Sequence, residues 1–385
     1  MPTALICCDK FKGSASSRSV GEALARGLEA AGCRAVVVPL ADGGDGTLEV
    51  FDDLGFRRRA VTVRGVDGRP VPSEFGLSQE SDPAAAPTAV VEVARACGLD
   101  MASSDGAPPD PRDARQAGSW GVGDLIRAAL DDGAGRIILA LGGSATTDAG
   151  FGMARALGVE FRDHAGREVE RVVNLADIAA VDTAGLDPRV ADVEFLVASD
   201  VRNPLCGTEG AARVFGPQKG LAPGELDEVD AAVRIVAGVV EDALGTSGVA
   251  EQPGAGAAGG LGFMALALLG AQMRSGVGLV LEETGFDAAL DGVDLVVTGE
   301  GRLDGQTLGG KAPAGVAWRA RERGLPVIAV CGQNQLDDGR GGDLFDEVRS
   351  LTDYQPDVAE CIRRPLPVLE RIGRDIGARL AAGTL

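Results

Sequence analysis

Residues 299–313 read GEGRLDGQTLGGKAP and place Glu300, Arg302, Asp304 and Lys311 among closely spaced glycines. The apolar run DLVVT at 294–298 precedes them as an expected buried strand, and a helical pattern begins near Ala312. The segment is therefore expected where a strand hands over to a helix. Backbone N–H groups at such a turn can bind phosphate oxygens, and nearby cations can neutralise the charge on them. Gly305-x4-Gly310-Lys311 falls one residue short of the P-loop signature. That signature needs Ser or Thr next to hold Mg²⁺, and Ala312 has no hydroxyl. The expected chemistry is phosphate binding by a loop that is not an ordinary P-loop.

Ligands of open α/β sheets bind outside the carboxyl ends of the strands. Four more expected strands end in comparable residues: DKFKGS at 9–14, ADGGDGT at 41–47, GGSATTD at 142–148 and SDVRNPL at 199–205. Each has a plain structural reading. Gly-Gly-Ser often caps a helix, Asp-Gly-Gly-Asp-Gly makes tight turns, and Asp200 with Asn203 can cap a turn before Pro204. The two lysines of 9–14 are harder to explain that way. Five such ends together have the composition of a site for phosphate and a metal. Gly254-x-Gly256-x-x-Gly259 matches a dinucleotide fingerprint, but Gln252-Pro253 precedes it instead of a strand, so close glycine packing is the reading adopted.

Composition removes several alternatives. Lys+Arg of 37 against Asp+Glu of 57 gives a net charge of −20, which disfavours nucleic acid and anionic membrane surfaces as partners. Small anions stay possible, because screening confines surface charge to about 8–10 Å and a few cations can dominate a cleft. The seven cysteines form no C-x-x-C and lie partly in apolar runs, which points to a reducing cytoplasm. No secretory pattern opens the chain, and the uncharged stretch 255–271 falls short of a membrane span and reads as a buried helix. The single histidine, His164, falls in an expected hairpin turn. Histidine-based zinc chemistry and a Ser-His-Asp triad are thereby disfavoured, and proton transfer falls to Asp, Glu or Lys.

At 385 residues the chain exceeds what one core usually supports, so two domains are expected. It opens with a βαβ pattern: a strand at 5–8, a helix with a Ser19-x-x-Glu22 capping box stopped by Gly32, and a strand at 35–40. Runs at 60–63 and 71–77 flank Asp67-Gly68 as an antiparallel hairpin, and 161–169 reads as another. Loops rich in Pro and Ala are expected at 81–87 and 101–117. Helix and strand alternate again after about Leu290, ending in a helix over 366–382. This predicts a parallel-sheet domain from 1–65 plus 285–385 and an inserted mixed α/β domain over 66–284, with 118–150 able to pack with the first.

Phosphoryl transfer fits these parts. It needs cations on the transferring group, donors around phosphate oxygens and a carboxylate near the acceptor hydroxyl. Mg²⁺ takes one or two carboxylates plus phosphates and water. At this point the ordered set DKFKGS, ADGGDGT, LGGSATTDAG (141–150), NPLCG (203–207), VFGPQKG (214–220), GAGAAGGLG (254–262) and GEGRLDGQTLGGKAP closely resembles the bacterial type I glycerate kinases over nearly the whole chain. The resemblance implies a flavodoxin-like α/β domain carrying an inserted second α/β domain, with the site in the cleft between them. It implies ATP-dependent phosphorylation of D-glycerate, most often to 2-phosphoglycerate. Lys10, Asp45 and Thr147-Asp148-Ala149 stand where the family commonly has Ser, Glu and Asn-Asp-Gly; Asp45 has a shorter reach, and Thr147 lacks an amide donor.

On that basis Lys12 and Lys311 are expected on ATP phosphates, and Arg302 on the glycerate carboxylate or the γ-phosphate. Asp42 or Asp200 would face the acceptor hydroxyl, and Glu300 and Asp304 are the candidate Mg²⁺ ligands. Gly142, Gly143, Ser144, Thr146 and Thr147 would cradle phosphate at a helix N-terminus. Asp9, Lys10, Ser14, Gly43, Gly44, Asp45, Asn203, Gly299, Gln306 and Thr307 complete the expected substrate and phosphate contacts. The cofactors are ATP and Mg²⁺ and the partners are small molecules in the cytoplasm, with no nucleic acid and no membrane; a homo-oligomer is compatible. The rivals are a non-catalytic sugar-acid sensor and a kinase for another small hydroxy acid.

Overall fold

The computed structural model describes residues 1–79, 85–102, 114–336 and 341–385. The loops expected at 81–87 and 101–117 fall largely outside them. The strands in chain order are β1 (Thr3–Cys8), β2 (Arg34–Val37), β3 (Arg57–Arg64), β4 (Pro70–Leu77), β5 (Thr88–Glu92), β6 (Arg136–Ala140) and β7 (Glu160–Asp163). They continue with β8 (Ile178–Asp182), β9 (Glu194–Ala198), β10 (Gln272–Arg274), β11 (Leu295–Leu303), β12 (Val327–Asn334) and β13 (Glu347–Ser350).

The chain forms two units. The first comprises Met1–Asp42 and Gly276–Leu385, and the second, Gly43–Ser275, interrupts it in sequence. The first holds a five-stranded sheet ordered β13-β12-β11-β1-β2, parallel throughout. Numbered within the unit this is 2-1-3-4-5, the flavodoxin-like order. Its strands are near-continuous apolar runs because both faces of a parallel sheet are covered. TALICC of β1 is buried in five of its six residues and LVVTG opens β11 fully buried. The helix Ser17–Ala30 lays Val20, Ala23, Leu24 and Leu28 into the same core as Leu369, Ile372 and Ile376 of the C-terminal helix Pro365–Ala381. Ser16, not Ser19, caps the first helix, accepting from the Ser19 N–H at 3.2 Å. Ser19 is already helical, and the Ser17 hydroxyl instead ties the chain after β1 to that after β2 by donating to Cys8 O and accepting from Leu40 N.

The second unit holds a mixed sheet ordered β10-β9-β6-β5-β4-β3 and a small β7-β8 pair. Strands β10, β9, β6 and β5 run parallel, and β4 and β3 add antiparallel. The β3-β4 hairpin turns at Asp67-Gly68, with Gly68 at φ +79°. Both unit boundaries fall earlier than the sequence placed them. β3 pairs with β4 along its whole length and so belongs to the second sheet, as does the stretch 118–150 that carries β6. At the other end, Val277, Leu279 and Val280 begin a helix of the first unit at Gly276–Glu283. Of the uncharged stretch 255–271 only Leu261–Leu268 is α-helical, buried over Leu261–Ala265, because left-handed Ala258, Gly259 and Gly260 break the chain before it. His164 lies exposed in the turn after β7.

Candidate functional site

In the first unit the polar residues gather at the carboxyl ends of β1, β2 and β11. Strand β11 runs through Gly299, Glu300, Arg302 and Leu303, pairing with β12 to the end, so these residues are strand and not loop. Gly299 stands in the strand because the neighbouring strand is close: a Cβ there would lie 1.8 Å from Val330 O. Asp304 then caps the short helix Gly305–Leu308, accepting from Gln306 N at 2.9 Å, while the Thr307 hydroxyl reaches Glu300 Oε1 at 2.6 Å. Lys311 is the N-cap residue of the helix Ala312–Glu322 and makes no side-chain cap bond. Arg302 pairs with Asp304 at 3.3 Å and is largely exposed.

Asp9 follows β1 and is buried, its N–H donating to Gly299 O and its Oδ1 accepting from Lys10 N at 2.7 Å. Burial, then the charge of Asp42, push its carboxyl up to about 7; Lys10 opposes and Glu300 adds to the rise. Burial also raises the Glu300 carboxyl, opposed by the Thr307 hydrogen bond and the Lys311 charge, with Asp304 and Asp42 adding to it. Asp9, Asp42, Glu300, Asp304, Thr307 and Lys311 are therefore one electrostatic neighbourhood. Lys12 stands exposed beside Gly13 (φ +72°), in the turn closed by Phe11 N to Ala15 O. The Ser14 hydroxyl is engaged by Ile362 O at 2.6 Å, a contact internal to the fold.

In the second unit the motifs also meet. A Cβ on Gly142 would lie 2.2 Å from Gly44 Cα, so the 43–47 and 142–147 turns touch. A Cβ on Gly259 would lie 1.9 Å from Thr146 O, which explains the GxGxxG spacing as backbone packing. Ala149 (φ +55°) and Ala258 (φ +51°) hold left-handed conformations at this contact, where Ala149 N donates to Gly259 O. The Gly142–Thr147 turn does not open directly onto a helix. The helix Phe151–Ala156 starts four residues later, and buried Asp148 accepts the N–H groups of Gly150 and Gly152 together with the N–H and hydroxyl of Ser119. The 142–147 turn is thus not itself a helix N-terminus, and Asp148 takes the N–H groups of Gly150 and Gly152 where the helix Phe151–Ala156 begins. Thr147 lines a cavity of about 40 Å³ with Val172, Leu175, Leu221 and Val229. Asp200 accepts from the Ser275 hydroxyl at 2.8 Å, and the Asn203 amide donates to Glu209 O at 2.8 Å. Asp45 is exposed at the tip of its turn.

Three buried residues were not singled out by sequence: Asp148, Glu92 and Lys219. Glu92 ends β5 and accepts from the N–H groups of Gly46 and Leu48, both at 3.1 Å, so it holds the 43–47 turn. A carboxylate closing the apolar strand TAVVE was the available signal. Burial pushes this carboxyl up to about 7, opposed by the Leu48 N–H and Arg95, with Glu49 and Asp45 adding to the rise. The folded state then keeps a proton that the unfolded chain releases near 4.5, so this contribution to stability is lost as pH rises from about 4.5 to about 7. Glu92→Gln is expected to remove that slope, worth up to about 3 kcal/mol. Urea melts of both forms at several pH values check this; parallel profiles would exclude it.

A sequence model described as the Glycerate kinase family matches residues 4–381. The chain is 39% identical over 383 residues to the glycerate kinase of Bacillus subtilis strain 168, covering 98% of this chain and 97% of that protein. It is 38% identical over 387 residues to the glycerate 2-kinase of Escherichia coli K12, covering 98% of each. A crystal structure from Salmonella typhimurium LT2, assigned provisionally as glycerate kinase 2, superposes with a TM-score of 0.83 at 36% identity, covering 99% of both chains.

Proposed function

The chain belongs to the glycerate kinase family and is an enzyme, and we propose that it transfers the γ-phosphoryl group of ATP to D-glycerate, giving 2-phosphoglycerate and ADP. The observation that carries this reading is the neighbourhood of Lys311, Glu300, Thr307 and Asp304 at the end of β11, within a chain related along its full length to enzymes of that name. The choice of the 2-hydroxyl follows the name of the Escherichia coli relative. In the reaction the bond between the β-γ bridging oxygen and the γ-phosphorus breaks, and one forms from the glycerate oxygen to that phosphorus. The hydroxyl proton passes to a carboxylate. Asp42 is favoured over Asp200 for that place, because its charge is felt by Asp9 and Glu300 while Asp200 is held by Ser275.

The donor set fits Mg²⁺. Asp9, Asp42, Glu300 and Asp304 offer hard oxygens, yet among the described residues no group of three or more His, Cys, Asp or Glu is gathered to cage a metal. Mg²⁺ suits such a set, since it takes one or two carboxylates and completes its shell with phosphate and water. Glu300 and Asp304 would hold it, and bound there it would neutralise charge on the phosphates. Lys12 and Lys311 are assigned to phosphate oxygens, and Arg302 to the glycerate carboxylate or the γ-phosphate. Asp9, Lys10, Gln306 and the turns containing Gly43, Gly44, Gly142 and Gly143 are assigned to substrate and nucleotide contacts.

Cytoplasmic placement belongs to the same proposal. All seven cysteines are free, six of them buried, and no helix among the described residues is long and apolar enough to cross a membrane. A coupled ADP-release assay with D-glycerate, followed by phosphorus NMR of the product, tests activity and regiochemistry together. Turnover to the 2-phosphate is expected. Binding of D-glycerate without ADP release would instead establish a sensor, and a higher kcat/KM for lactate, tartronate or erythronate would reassign the acceptor.

A further inference from the structure

Among the described residues Lys219 is the one buried Lys or Arg, with 3% of its surface exposed, at the end of the short turn Pro217–Lys219. Its Nζ donates to Ser144 Oγ at 3.0 Å and to Thr146 O at 2.7 Å. Both acceptors belong to the 142–147 turn, whose Gly143 is exposed while Ser144, Thr146 and Thr147 are buried. Burying an ammonium costs several kcal/mol unless it is paired and hydrogen-bonded, so a lysine here is an expensive way to brace a loop. A smaller neutral donor would hold the same two oxygens without that penalty. What the lysine adds is a positive charge lodged directly behind a glycine-rich turn.

We propose that Lys219 is a positioning residue for nucleotide binding, bracing the 142–147 turn from inside and favouring a phosphate on its exposed glycine face. This rests on the reading of that turn as a phosphate contact. Its ionisable neighbours are Asp148, which carries four donated hydrogen bonds of its own, and the Cys97 thiol, which burial pushes up to about 12. Burial lowers the Lys219 ammonium to about 8, with Cys97 and Asp148 opposing, so its charge is present below that pH and lost above it. The amine can keep both hydrogen bonds when neutral. A pH profile therefore reports the charge, and substitution reports charge and bracing together.

The test compares wild type, Lys219→Met and Lys219→Arg in steady-state assays from pH 6.5 to 9.5, varying ATP and D-glycerate separately. Binding of a fluorescent ATP analogue is measured alongside, and folding is checked by circular dichroism. Lys219→Met is expected to raise KM for ATP by about 10–100-fold, the loss of one charge-assisted contact, with KM for D-glycerate within about threefold. In wild type, kcat/KM for ATP is expected to fall above about pH 8, and Lys219→Arg is expected to abolish that fall because arginine stays charged. A folded Lys219→Met with wild-type ATP parameters overturns the proposal. So does an alkaline limb unmoved in Lys219→Arg, which decides the matter even if the methionine variant fails to fold. Turnover with Lys219-independent ATP binding removes Lys219 and keeps the kinase. Absence of turnover in every form, with analogue affinity still set by Lys219, removes the kinase activity and keeps Lys219 in its place.

Discussion

Lys311→Ala is expected to lower kcat by about 10²–10⁴-fold while the protein stays folded, since a cation on a transferring phosphoryl group contributes roughly 3–6 kcal/mol. The fold is expected to tolerate the change because the Lys311 side chain makes no capping bond to the helix Ala312–Glu322. Steady-state kinetics with saturating ATP and D-glycerate, together with thermal melts, check both halves. A second readout comes from Glu300. The Lys311 charge lowers the proton affinity of the Glu300 carboxyl, so removing it raises that affinity further. If ionised Glu300 is required, the acid limb of the residual activity moves to higher pH. An unchanged kcat would take Lys311 out of the reaction.

Gly299→Ala is expected to cost about 3 kcal/mol of stability, the upper end of the usual range for overpacking a well-filled core. Gly299 lies on β11 between β1 and β12, opposite Val330, and the added methyl would sit 1.8 Å from that residue's carbonyl oxygen. Neither strand can give way cheaply, since Val297, Val330 and Ile6 are buried around the contact. The substitution would also move Asp9, whose N–H donates to Gly299 O, and Glu300 next to it. Gly305→Ala serves as the control, because a Cβ there meets nothing within 4 Å. Urea unfolding of the two variants is expected to separate them clearly. Equal midpoints would mean that the approach of β11 to β12 is looser than described.

Much of the fold was legible because its signals are local. The apolar run of β1, the β3-β4 hairpin about Asp67-Gly68 and the terminal helix each follow from periodicity and turn chemistry over a few residues. The β11 segment misled for an equally physical reason. GEG reads as a loop because glycine is unfavourable inside strands, yet here it permits close approach of neighbouring backbone, which no window of sequence displays. The early boundary of the second unit lies at Asp42/Gly43, ahead of β3, although the hairpin that carries β3 into the second sheet was itself legible.

From the order of residues alone came the resemblance to the family, carried by its ordered motifs, and the parallel sheet assembled from both chain ends, carried by local periodicity, because each is written into short stretches of sequence. The folded chain decided which charges are buried and what they hold: Glu92 on the 43–47 turn, Asp148 on Ser119 and the start of the helix Phe151–Ala156, Lys219 on the 142–147 turn. Burial and hydrogen bonding are sums over neighbours far apart in sequence, and they set whether a carboxylate or an ammonium keeps its charge.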